Sequence, residues 1–120
     1  MGRAQIEAVI QIYFDANFEA DAAKIAGVLH EQAHVYGRDE AGTLLDMDKS
    51  AFVALIDSLS ADPAVPRQDE ILAIDFIGEH AAVARVRIRV GDIIYTDTLN
   101  FMYLDGKWGI ISKIYAGSPV

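Results

Sequence analysis

The sequence predicts one α+β domain in which an antiparallel sheet packs on helices. Three observations carry this. Apolar residues recur at helical spacing through the first half of the chain, whereas from Glu70 onward the period changes from 3.6 to 2. Three turn signals, Gly78-Glu79-His80, Gly91-Asp92 and Asp105-Gly106, divide the second half into four strands. At 120 residues, 52% of them apolar, the chain has enough for one core and no room for a second domain.

Ile6, Val9, Ile10 and Tyr13 form one stripe, with Arg3, Glu7, Gln11 and Asp15 on other faces, so roughly the first sixteen residues read as an amphipathic helix. Asp21 is placed to cap a second short helix carrying Ile25, Val28 and Leu29, with His30 at its end. Ala33 to Gly37 and Thr43 to Leu45 read as brief extended pieces around the polar turn Arg38-Asp39-Glu40. Asp48 is the expected N-cap of a third helix. Met47 and Phe52 form a hydrophobic staple there, and Leu55, Ile56 and Leu59 continue the stripe. Asp62-Pro63 and Pro66 then end helical structure.

Two-residue hairpin turns at Gly91-Asp92 and Asp105-Gly106 set the register by counting: Ile88 faces Tyr95, and Tyr103 faces Trp108. One face then collects Ala82, Ala84, Val86 and Ile88, then Tyr95, Asp97, Leu99, Phe101 and Tyr103, then Trp108, Ile110, Ser112 and Ile114. A three-residue turn at Gly78 to His80 adds Leu72, Ile74 and Phe76 to it. The other face carries Arg85, Arg87, Arg89, Thr96, Thr98, Asn100, Ile111, Lys113 and Tyr115. Helices cover the first face, and solvent or a partner covers the second.

Composition narrows the function. The net charge of −8 repels phosphates and anionic headgroups, so no nucleic acid and no membrane partner is expected. Without cysteine there is neither a disulfide nor a thiol nucleophile. Met1-Gly2-Arg3-Ala4 leads straight into an amphipathic segment, not into an unbroken apolar run, which predicts a soluble, cytoplasmic protein. His30 and His34 straddle a helix-to-strand passage, so no metal is expected, and no cofactor loop is found among the scattered Gly27, Gly37 and Gly42.

The polar exception on the inner face is Asp97, whose counted neighbours are Val86 and Ile114. A carboxylate desolvated there costs several kcal/mol, on the order of the effective penalty for a buried ion, unless it is hydrogen bonded, protonated or facing a wet cavity. Burial would raise its pKa and make it a proton donor or acceptor near neutral pH. The bland alternative is that it bonds an internal tyrosine hydroxyl, or that the register is off by one. Tyr13, Tyr36, Tyr95 and Tyr103 supply hydroxyls but are equally core-filling side chains. The Arg85, Arg87, Arg89 row reads either as a solvated face or as an anion or subunit contact.

Leu29-His30 followed by Ala33, then Gly37 and Gly42, the stretch Tyr95-Thr96-Asp97-Thr98-Leu99 and the closing Asp105-Gly106-Lys107-Trp108 hairpin resemble the nuclear transport factor 2-like superfamily over nearly the whole chain. The nearest likeness is to its lumazine-binding and polyketide-cyclase-like branch. The resemblance implies a cystatin-like roll, a cone-shaped sheet enclosing three N-terminal helices with a pocket at its open end. It commonly implies a homodimer through sheet faces. It implies no particular reaction, because fold is not function. Ketosteroid isomerases of this superfamily hold an oxyanion with a first-helix tyrosine and a late-strand aspartic acid, and Tyr13 and Asp97 look similar to these. Their base position is matched here by Gly37, which argues against steroid isomerisation.

The expected function is therefore a dimeric pocket protein that binds a small apolar or aromatic molecule and performs proton transfer. Asp97 is the acid, Tyr13 the hydrogen-bond donor and His30 a candidate base, with Phe14, Tyr36, Phe52, Tyr95, Phe101 and Trp108 as candidate lining. The rival is a non-catalytic association module working through its outer sheet face while side chains fill the cone.

Overall fold

A computed structural model describes residues 2–120. Three helices, α1 (Arg3–Glu19), α2 (Ala22–Val28) and α3 (Lys49–Ser58), lie against a six-stranded sheet of β1 (Leu29–Arg38), β2 (Leu44–Asp48), β3 (Asp69–Ile77), β4 (Ala81–Val90), β5 (Ile93–Leu104) and β6 (Lys107–Pro119). The spatial order is β2-β1-β6-β5-β4-β3. One pairing departs from the antiparallel expectation, because β1 runs parallel to β6. The chain returns to the sheet beside β1 only at its last strand, so β1 meets β6 in the same direction while every other neighbour is antiparallel.

The caps act as the sequence indicates. Asp21 Oδ1 accepts from Lys24 N (3.1 Å) and Asp48 Oδ1 from Ala51 N (2.8 Å), each satisfying a helix N–H that has no intrahelical partner. The second helix stops earlier than expected. Val28 is its last residue and Leu29 takes extended backbone (φ −94, ψ 134), so Leu29 and His30 open β1 without an intervening loop.

Both two-residue hairpins form, with Val90 opposite Ile93 and Leu104 opposite Lys107. Asp105 and Gly106 both take positive φ (53° and 80°), the backbone that a tight hairpin matched to strand twist requires. Ile88 faces Tyr95 and Tyr103 faces Trp108, and Ile77 opposite Ala81 leaves a three-residue turn between them.

The count fails at two β-bulges. On β6, Ile110 faces Phe101 and Ser112 faces Asn100, so Ile111 is an extra residue and every later side chain changes face. Asp97 lies opposite Tyr115, not Ile114. Lys113 and Tyr115 therefore point inward, and Ile114, expected inside, is 57% exposed. On β3 the extra residue is Leu72: Ile71 pairs with Val86 and Ala73 with Arg85, so Ile71 replaces Leu72 against the core. At the level of Ile111, β1 also loses register between Leu29 and His34. Irregularity in two neighbouring strands at one height bends the sheet around the helices.

The core is shared between Ile6, Ile10 and Phe14 of α1, Ile25 of α2, Phe52 and Ile56 of α3 and the inner residues Ala84, Val86, Leu99, Phe101 and Ile110. Among the described residues, no helix is long and apolar enough to cross a membrane.

Candidate functional site

Two ionisable side chains are buried in this core, Asp97 (1% exposed) and Lys113 (6%). The Tyr13 hydroxyl joins them: it donates to Asp97 Oδ2 (2.5 Å) and accepts from Lys113 Nζ (2.8 Å). Lys113 Nζ lies 3.9 Å from Asp97 Oδ2, and the hydroxyl closes the gap. Each group comes from a different part of the fold. Tyr13 is on the buried stripe of α1, Asp97 keeps the parity set by the Gly91-Asp92 hairpin, and Lys113 is turned inward by the bulge at Ile111.

Lys113 is also boxed by rings. Its Nζ sits 4.3 Å from the Phe52 ring centroid, 5.3 Å from that of Tyr13 and 5.4 Å from that of Tyr115. These negative faces supply part of the attraction that water would give an ammonium. Tyr115 in turn owes its position to a missing side chain. A Cβ on Gly37 would lie 2.4 Å from Tyr115 Cζ, and one on Gly117 would lie 2.8 Å from Tyr95 Cε1. The two phenols meet edge to face, 5.7 Å between centroids.

A cavity of about 100 Å³ opens beside this group, lined by Tyr13, Asp97, Lys113 and Tyr115 at its floor. Leu55 of α3 and Leu59 just past its end, 43% and 39% exposed, form its rim with Val90 of the β4–β5 hairpin. Asp97 lines this largely apolar space, and its Oδ1 is buried without a hydrogen-bond partner. An unmet buried acceptor costs about 1–3 kcal/mol, more when charged, so Oδ1 is where a ligand group is needed.

Burial dominates the proton affinities. It raises Asp97 above the ordinary carboxylate value, against the opposing pull of Lys113 and the Tyr13 hydrogen bond. It lowers Lys113, against the pull of Asp97. The Tyr13 phenol is pushed well up by burial and by the neighbouring carboxylate, and Tyr95 is raised by burial and by Tyr115 and Asp97. The ion pair and the neutral pair are thereby brought closer in energy than in water.

Of the residues singled out in the sequence, Asp97, Tyr13, Phe52 and Tyr95 line the cavity. Phe14, Phe101 and Trp108 are buried in the core away from it, Trp108 with its Nε1 donating to Gln5 Oε1 (3.1 Å). Tyr36 lies on the outer face, stacked on His34 and beside Ile114. His30 is not brought to the cavity, and its Nδ1 accepts from Gln32 N (3.1 Å). Lys113 and Tyr115, which counting places on the outer face, lie on the inner one. Their only local signal is the Ile110-Ile111 doublet, which breaks the strand's alternation. The arginine row is partly consumed within the chain, Arg87 by Glu70 (2.8 Å) and Arg89 by the Gly91 carbonyl (2.8 Å).

The family described as "Putative lumazine-binding" matches residues 2–116. The chain belongs to that family. Its fold is that of the nuclear transport factor 2-like superfamily. An NTF2-like protein of unknown function from Shewanella baltica is 27% identical with a TM-score of 0.88, covering 98% of this chain and 94% of that one. One from Silicibacter pomeroyi is 24% identical with a TM-score of 0.84, covering 96% and 94%. A ketosteroid isomerase-like protein from Erwinia carotovora atroseptica is 17% identical with a TM-score of 0.76, covering 97% and 96%. No protein among the curated sequences matches the chain. Other neighbours are named for a cystatin-like fold, the roll that the family resemblance implied.

Proposed function

We propose that this protein binds a small, largely apolar molecule in the cavity above Tyr13, Asp97 and Lys113, and moves a proton to or from a polar group of it. The observation that carries this is the orphaned Oδ1 of Asp97, a carboxyl in the wall of an otherwise greasy chamber. Because Oδ2 is engaged by the Tyr13 hydroxyl, Oδ1 is the oxygen left to serve a ligand. Ionised, it accepts a hydrogen bond; protonated there, it offers one to a carbonyl or hydroxyl oxygen. A carboxyl held toward its protonated form by burial is suited to acid catalysis near neutral pH. At about 100 Å³ the cavity is smaller than the roughly 150 Å³ apolar cavity that accepts benzene, so it takes a short chain whole and a single ring only with part of it at the open rim.

Thermal shifts with benzyl alcohol and toluene test this reading in wild type and Asp97→Leu. Benzyl alcohol should raise the wild-type Tm more than toluene does, and Asp97→Leu should erase the difference. Equal shifts for both compounds in wild type would detach the ligand from the carboxylate.

A second reading rests on the outer face. Ile114, displaced outward by the bulge, lies beside Tyr36 and opposite Thr98, with the bonded pair Asn100–Ser112 next along the ladder (2.9 Å). Mixed surface of this kind suits a two-fold contact between sheets of two copies. Sedimentation of wild type and Ile114→Lys checks it: a dimer converted to monomer supports the contact, and unchanged mass removes it.

A further inference from the structure

We propose that Lys113 is an amine nucleophile that condenses with a small aldehyde or ketone in the cavity to form a Schiff base, Tyr13 and Asp97 carrying the protons. This rests on the pocket reading above and names its ligand class as a carbonyl compound. The geometry sets Lys113 apart from the other three lysines. Lys24 and Lys49 are tied to Glu19 (2.6 Å) and Glu31 (3.0 Å) at the surface, and Lys107 is exposed in the last hairpin. Lys113 alone is buried, lines the cavity and makes one hydrogen bond, to a hydroxyl. An ammonium has three N–H donors, and beyond the Tyr13 hydroxyl this one has only ring faces and, at 3.9 Å, the Asp97 carboxyl around it. A free amine has less to lose in that setting, and the lowered proton affinity of Lys113 agrees with it.

The hydroxyl bridge supplies the deprotonation. As Lys113 Nζ gives a proton to the Tyr13 oxygen, the Tyr13 proton passes to Asp97 Oδ2, leaving an amine, a phenol and a carboxylic acid with no change in net charge. The amine lone pair then forms the C–N bond, and the carbonyl π pair moves to oxygen. That oxygen takes the proton returned from Asp97 through the Tyr13 hydroxyl, and nitrogen gives up one of its own to the carboxylate. In the second step the same route protonates the carbinolamine hydroxyl. The C–O bond breaks, nitrogen's lone pair closes the C=N bond, and the remaining N–H proton restores the carboxyl. Overall, the carbonyl oxygen leaves as water with the two amine hydrogens. Desolvated lysines beside proton-handling groups are the usual setting for such chemistry.

The test is reductive trapping of the folded protein at pH 7 with propanal or benzaldehyde and sodium cyanoborohydride, followed by peptide mapping. Lys113 should be alkylated at least about tenfold faster than Lys24, Lys49 and Lys107, whose ammonium groups keep their charge in water or in ion pairs. A rate at Lys113 no greater than theirs with both aldehydes overturns the proposal. The benzyl alcohol shift distinguishes the two failures: a Tm shift without trapping keeps the pocket and rejects the nucleophile. Trapping without a shift keeps the nucleophile and rejects the donor role of Asp97, and the absence of both rejects both. Lys113→Met, which fills the space with an unreactive chain, should lose the adduct from its β6 peptide while Lys24, Lys49 and Lys107 react as in wild type.

Discussion

The β5–β6 ladder has two halves that differ in what they face inward. Between Ile111 and the Asp105-Gly106 turn it presents Phe101, Tyr103, Trp108 and Ile110, a packed end where the indole N–H is satisfied by Gln5 and Phe76, Tyr103 and Trp108 stack edge to face. Beyond Ile111 it presents Asp97, Lys113 and Tyr115, a hydrogen-bonded end with an unmet oxygen and an opening to solvent. The strands and the partner helix α1 are the same. What changes is packing: one end spends its inner face on density, whereas the other holds polar groups that a fully apolar core would not need. The roll thus keeps its stability and its chemistry in adjacent stretches of one hairpin.

Truncation should separate the two ends most sharply. Phe101→Ala, at the packed end, is expected to cost about 4 kcal/mol in denaturant unfolding, within the usual range for emptying a buried phenylalanine site. The benzyl alcohol shift should survive in the fraction that remains folded. A loss below about 1 kcal/mol would mean that the two ends are equally loose.

Asp97→Leu should cost about 3 kcal/mol, because it strands the Lys113 ammonium without its counter-charge. Adding Lys113→Met should reverse the loss and leave the double variant about 1 kcal/mol or more above wild type, as happens when buried ion pairs are replaced by apolar groups. Should the double variant prove less stable than Asp97→Leu, the polar end contributes to folding and is not a concession to function.

The same pair fixes a pH dependence. Asp97's folded pKa is raised, so its share of stability is complete below the ordinary 3.8 and lost as pH rises through the raised value. Lys113's is lowered, so its share is complete above 10.5 and lost as pH falls through the lowered value. Wild type carries both penalties at intermediate pH. Urea melts should show its gap to the double variant widest there and narrowing toward either extreme; Tyr13 and Tyr95, both raised, stay neutral until the alkaline end. A gap constant from pH 3 to 10 would contradict both shifts.

Smaller effects test the bridge and the bulge. Tyr13→Phe keeps the ring and removes the hydroxyl shared by Asp97 and Lys113, which should cost about 2 kcal/mol and slow Lys113 trapping. Ile114→Ser, measured at high dilution, should change stability by less than about 0.5 kcal/mol, as expected of an exposed site. A loss several times larger would restore Ile114 to the core and dismiss the bulge.

These bulges also explain how far the residues alone could be read. Asp97 was legible because its parity depends on one local turn, Gly91-Asp92, and on unbroken pairing from Val90 to Val86. The helix caps were legible for the same reason, since Asp21 and Asp48 bond amides three residues ahead. Lys113 was not, because the extra residue on β6 answers to a kink in β1, a strand more than seventy positions earlier. Both bulges fall at apolar doublets, Ile71-Leu72 and Ile110-Ile111, where strict alternation stops. His30 was misplaced because helix passes into strand at Val28-Leu29 without glycine, proline or a polar turn to mark it.

Gly37 and Gly117 touch nothing in the chamber, yet they set its capacity. Each is a seat for a phenol, and a single added methyl at either must unseat the ring above it. Chamber size in this roll is thereby governed from behind the wall, so relatives that exchange glycine for a larger residue at these two seats can retune what they admit while leaving Tyr13, Asp97 and Lys113 untouched.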